Sequence, residues 1–171
     1  MDARRESEPT PMKNRTTVER TSERELVVTR TVNGPARIVF EAWTKPELFK
    51  QWWAPKSMDM FLRSCEMDVR VGGRYRLVFG HDASHPSEFF GRYIEVTPHS
   101  RLVWTNDESG DGGPVTTVTF EEKAGKTLLV MHELYPSKEA LAALAGMENG
   151  MPESFAQLDE LLVALGESVP E

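Results

Sequence analysis

The chain of 171 residues carries 20 Lys and Arg against 27 Asp and Glu, a formal net charge of −7 at pH 7. That acidic balance excludes a broad nucleic-acid surface, because phosphate binding draws on clustered cations. The single cysteine, Cys65, excludes an internal disulfide and a thiolate zinc site, and no apolar run reaches the length of a membrane span.

Residues 1–24 mix Arg and Lys with Asp and Glu and contain almost no large apolar side chains. They are predicted to be a flexible extension. They lack both the apolar core of a secretory signal and the acid-poor composition of a presequence, so a cytoplasmic location is expected. One domain is predicted over residues 25–166, followed by a short tail over 167–171.

Glu25 to Val32 is rich in β-branched residues and alternates, which predicts a strand. Asn33-Gly34-Pro35 ends it, and Pro35 suits the first position of a helix. Val39, Phe40 and Trp43 then have the spacing of an amphipathic helix to Thr44. Pro46 opens a second short helix from Glu47 to Trp53, closed by Pro55. From Met58 the apolar period becomes two. Strands are predicted from there to about Asp68, and over Arg74 to Phe79, Glu88 to Val96, Arg101 to Asn106, Val115 to Glu121 and Thr127 to Leu134. Their connections, such as Gly72-Gly73 and Lys123-Ala124-Gly125, are too short for a parallel crossover, so the strands are antiparallel neighbours.

Ser137 is a fitting N-cap for a helical tail, which Gly146, Gly150 and Pro152 interrupt. Met147, Met151, Phe155, Leu158, Leu162 and Leu165 form one apolar stripe ending at Gly166, while the acids of this segment, Asp159 among them, read as its solvated face. The order β-α-α-β6-α is that of an α+β protein in which the C-terminal helix covers the concave side of a curved antiparallel sheet.

Several strings in this order are similar to the START-like (SRPBCC, helix-grip) superfamily: Ala42-Trp43-Thr44-Lys45-Pro46-Glu47, Gln51-Trp52-Trp53-Ala54-Pro55, Val71-Gly72-Gly73-Arg74-Tyr75, Gly91-Arg92-Tyr93-Ile94-Glu95-Val96 and Gly146-Met147-Glu148-Asn149-Gly150-Met151. Within it the chain resembles the bacterial family named after the C-terminal domain of the heat-shock chaperone ATPase activator. The resemblance implies a deep cavity between sheet and C-terminal helix, filled in various relatives by lipids, hormones or polyketides. It also raises a chaperone partner, for which no specific motif is present.

Alternation places Tyr75, Leu77, Phe79, Trp104, Val118 and Phe120 on one inward sheet face, as core or as cavity lining. Trp53 of the Trp52-Trp53 pair is expected near the cavity mouth, where its ring can stack on a ligand. Phe155 lies on the helix stripe. Met147 and Met151 stand where the resembling family often has bulky aromatics, and methionine adapts to irregular guests. Of His132 and Glu133, adjacent on the last strand, only one faces inward, and sequence does not choose. His81 and His85 have a spacing that aligns ligands only on a helix, whereas Gly80 and Pro86 mark a loop; no metal and no cofactor is expected.

The expected function is therefore non-catalytic binding of a small apolar or amphipathic molecule, with no nucleic-acid or membrane partner; a homodimer is compatible with the sequence. An enzyme of the polyketide cyclase or aromatase type would need Tyr75, Arg92, His132 or Glu133 to converge on one point. A co-chaperone-like protein-binding domain would need an exposed apolar patch or groove.

Overall fold

The computed structural model describes residues 16–54, 61–80, 87–107, 113–143 and 150–168. Eight strands form one curved antiparallel sheet: β1 (Thr17–Ser22), β2 (Glu25–Val32), β3 (Phe61–Met67), β4 (Arg74–Gly80), β5 (Ser87–Thr97), β6 (Arg101–Thr105), β7 (Val115–Lys123) and β8 (Lys126–Leu134), in the spatial order β1-β2-β8-β7-β6-β5-β4-β3. Helices α1 (Ala36–Thr44) and α2 (Pro46–Phe49) join β2 to β3, and α3 (Lys138–Ala143) and α4 (Met151–Ser168) follow β8. The α+β architecture expected from the element order, and the helix-grip fold that the resemblance implies, are the ones observed.

Two turns show why the hairpins close where they do. Gly72 has φ +85 ahead of β4, and Ala124 and Gly125 have φ 56 and φ 80 between β7 and β8. Two successive left-handed residues give the primed turn whose twist matches a two-residue hairpin. Gly91 is required for another reason. A Cβ there would lie 1.9 Å from the Thr105 carbonyl oxygen, so β5 approaches the end of β6 only without a side chain.

The inward side chains of the sheet, α1 and α4 share one core. Trp43, Trp52, Phe155, Val118, Leu129 and Leu158 are fully buried in it. Each tryptophan removes about 4–6 kcal/mol worth of apolar surface from water, as an upper bound. Trp52 is fixed further by donating from Nε1 to the Ala42 carbonyl at 3.0 Å. Helix α4 is tied down at two places. Ser154 donates to the Trp53 carbonyl at 2.8 Å, and Gln157 to the carbonyls of Trp52 and Ala54 at 2.8 and 2.9 Å. One turn on, Asp159 accepts from Arg30 of β2 and from the Asn33 backbone N–H at 2.7 Å.

Four expectations need correction. Within residues 1–24, assigned to a flexible extension, Thr17–Ser22 pairs with β2 as an edge strand, in register from Thr17 with Thr29. Its side chains are almost all exposed, so backbone bonds hold it in place. The second helix stops at Phe49, after which tighter backbone bonds, Gln51 to Leu48 and Trp52 to Phe49, turn the chain. Gly166 does not end α4, which runs to Ser168; one glycine costs a helix only about 1 kcal/mol. Asp159 belongs to the buried side of α4. Ser137 does cap α3, accepting from the Ala140 N–H at 3.1 Å.

Candidate functional site

The Trp43 ring, on the inward side of α1, is the hub of an aromatic cluster. Its centroid lies 4.8 Å from Trp52, 5.8 Å from Trp53, 5.9 Å from Trp104 and 6.2 Å from each of Phe49, Phe120 and Phe155. Trp53 is half-buried and stacks on Phe49 at 4.9 Å. Trp104 then bridges to a second group, reaching Tyr75 at 6.3 Å and Tyr93 at 6.4 Å. Edge-on contacts dominate, as the ring quadrupole favours.

One polar tip in this lining is unmet. Among the described residues, Trp43 Nε1 is buried with no hydrogen-bond acceptor. Tyr93 is 3% exposed, and burial pushes its ionisation well above the ordinary tyrosine range. Buried donors are otherwise nearly always paired, and leaving one unpaired costs about 1–3 kcal/mol.

A chain of satisfied polar groups runs along the inner rim from the same aromatic group. The Tyr75 hydroxyl lies 2.8 Å from the Thr105 carbonyl and 3.0 Å from Asn106 Oδ1. Asn106 Nδ2 donates to Thr116 Oγ1 at 3.0 Å, and Thr116 approaches Glu133 Oε2 at 3.4 Å. Tyr135 donates to the other oxygen of Glu133 at 2.7 Å. This carboxylate therefore lies at the end of a hydrogen-bonded rail that begins beside the tryptophans.

The predicted inward set does share one face. Thr116, Val118 and Phe120 alternate inward on β7, and the register pairs Trp104 with Thr116 and Leu102 with Val118. Tyr75, Leu77 and Phe79 are likewise buried on β4. Phe155 is fully buried against Trp43 and Trp52, and Met151 packs half-buried at the start of α4. Met147, His81 and His85 lie outside the described residues. The choice left open on β8 falls to Glu133, which shares its parity with the buried Leu129 and Met131. His132 as a lining residue is a correction: it faces the other side and pairs with Glu25 at 2.9 Å. Arg92, also exposed, points to that outer face. Tyr75 and Glu133 thus stand on one side of the sheet and Arg92 and His132 on the other.

Sequence reasoning did not single out Trp43, Tyr93, Asn106 or Thr116. For Trp43 the signal was present in its place on the apolar stripe of α1, but nothing in a sequence marks a donor as unpaired. Among the described residues no three His, Cys, Asp or Glu side chains gather as a metal site, and no helix is long and apolar enough to cross a membrane.

Solved structures share this architecture. A protein of Rhodobacter sphaeroides is 24% identical, covering 88% of this chain and 99% of its own with a TM-score of 0.79. Protein Ms6760 of Mycobacterium smegmatis is 22% identical, with coverage of 88% and 99% and a TM-score of 0.75. An Aeromonas hydrophila protein described as AHSA1-like is 21% identical, with coverage of 82% and 94% and a TM-score of 0.64. No curated protein matches. The family model described as Activator of Hsp90 ATPase homolog 1-like protein matches residues 33–163, and the chain belongs to that family.

Proposed function

We propose that the protein binds a small, largely apolar molecule bearing a hydrogen-bond acceptor, held between the inner sheet face and α4, as a carrier, sequestering protein or sensor. The observation that supports this most is the unmet Trp43 N–H. A core that needed only a large ring at position 43 would be served by phenylalanine without an orphaned donor. An acceptor on a guest would satisfy it, with the rings of Trp53, Trp104 and Tyr93 supplying the apolar surround and the Tyr75–Glu133 rail a polar border.

The enzyme alternative draws less support, because Tyr75 and Glu133 are separated by the sheet from Arg92 and His132 and do not converge on one reacting atom. The protein-binding alternative also draws less. The exposed large apolar side chains Phe90, Ile94, Leu128, Leu134, Val71 and Val163 are spread over β5, β8, a turn and α4.

The test is native mass spectrometry of the protein purified from its own host, followed by titration of the recovered molecule against Trp43→Phe. The substitution should leave the circular dichroism unchanged and weaken binding about tenfold, or ~1.4 kcal/mol. Equal affinity in the variant would remove the stated anchor. Absence of any co-purified molecule, together with failure to take up apolar probes, would end the binding reading.

A further inference from the structure

On the opposite side of the same sheet, strands β3, β4 and β5 enclose an open concavity of about 750 Å³, bordered by Asp107. Its lining is charged, and the charges are unevenly matched. Arg76 of β4 stands opposite Glu66 of β3 and is ion-paired with Glu88 of β5. One step along, the register sets Arg74 directly opposite Arg92. Like charges facing each other across an antiparallel pair are destabilising. Arg92 has a long 3.4 Å contact with Asp107, and Arg74 has no ion pair or hydrogen bond among the described residues. The lining as a whole balances three arginines with Glu66, Glu88 and Asp107, but Asp107 meets only Arg92, so among the described residues the Arg74 guanidinium is the cation left without a partner there. Beside them Phe90, opposite Arg76 in the register, is 37% exposed.

We propose that this concavity is a second binding site, distinct from the interior one, for a monocarboxylate carried on a flat apolar body. The carboxylate sits between the Arg74 and Arg92 forks, whose planar donors match its two oxygens. The apolar body lies on the exposed ring of Phe90. One guanidinium without a partner in a lining that is otherwise balanced suits a single carboxylate better than a doubly charged phosphate, and the volume is within the usual range for small ligands, roughly 300–1,000 Å³.

The experiment is an amide-resolved NMR titration of the full chain with 2-naphthoate, 2-naphthyl phosphate and 2-naphthol. Naphthoate is expected to shift the backbone amides of Arg74, Phe90 and Arg92 and to bind at least about fivefold more tightly than the other two. Arg74→Gln should weaken naphthoate about tenfold and raise the melting temperature of the empty protein, because it relieves the facing charges. Trp43→Phe should leave these shifts unchanged, so the two sites succeed or fail separately. Equal binding of naphthol, tighter binding of the phosphate, or indifference to Arg74→Gln would each overturn the proposal. So would shifts of these amides by hexaglutamate and not by naphthoate, which would make the site a peptide surface.

Discussion

The two halves of the sheet meet their cover in different ways. The closest helix-to-strand packing puts α4 on β1 and β2, α1 on β7 and β8, and α2 on the far edge strand β3. Around β2 and β8 the polar groups are matched: Arg30 with Asp159, the Asn33 N–H with the same carboxylate, and the Thr127 hydroxyl with the Gly34 carbonyl at 2.7 Å. The inner face of β4, β5 and β6 is met instead by rings, and Trp43, whose N–H is unmet among the described residues, borders Trp104 in that half. The matched half holds the fold, while the donor left over in the other half is the feature on which the proposed guest rests. On that reading the protein is stable empty and still gains by filling.

The largest test of this contrast is Asp159→Ala, which leaves the Arg30 guanidinium buried beneath α4 without its partner. The side chains of Arg30 and Asp159 are 10% and 7% exposed, and breaking such a pair from one side costs about 3–5 kcal/mol. Urea unfolding should show that loss; a cost below about 1 kcal/mol would mean that the matched half does not hold the fold. Gln157→Ala comes next. It strips the Trp52 and Ala54 carbonyls of their donor and should cost about 2 kcal/mol, at roughly 1 kcal/mol per hydrogen bond. Because Gln157 fixes the turn that carries Trp53, this variant should also loosen any guest of the interior, which Asp159→Ala, acting on the other half, should do far less. Equal effects of the two on binding would erase the distinction between the halves.

Much of this fold could be read along the chain from Glu25 onward, since a sheet with one buried face writes its register as alternation. The edge strand β1 could not, because TVERTS has no apolar face and its pairing depends on backbone bonds that leave no mark on side-chain pattern. Nor could the Arg30–Asp159 tie be read as a pair across the length of the chain. Each half of it did carry a signal. Arg30 takes an inward position between Val28 and Val32, and Asp159 stands 4 residues after Phe155 and 3 before Leu162, within the buried stripe. A charge in such a place needs a partner. The proposed interior site was legible as a set of inward rings. Which polar atom among them lacks a partner depends on the placing of acceptors in three dimensions, and no spacing rule reaches that.

The smallest effect concerns Cys65, on the edge strand β3, beside the ring-covered strands and packed by α2. It is half-buried, and burial pushes its thiol from 9.0 up to about 11. In the unfolded chain the proton leaves first, so between pH 9 and 11 the unfolded state binds fewer protons and stability falls as pH rises; below pH 9 the contribution is fully present. Cys65→Ala should flatten the decline measured between pH 9 and 10, before tyrosines ionise. At pH 8 the raised value leaves far less thiolate, partly offset by its greater nucleophilicity, so alkylation by iodoacetamide should run about tenfold slower than for a free cysteine. A guest beneath α4 that tightens the ring-covered half should slow it further. Alkylation at the free-cysteine rate would mean that β3 opens readily, and the inner face at that edge would then be too loosely covered to retain a guest.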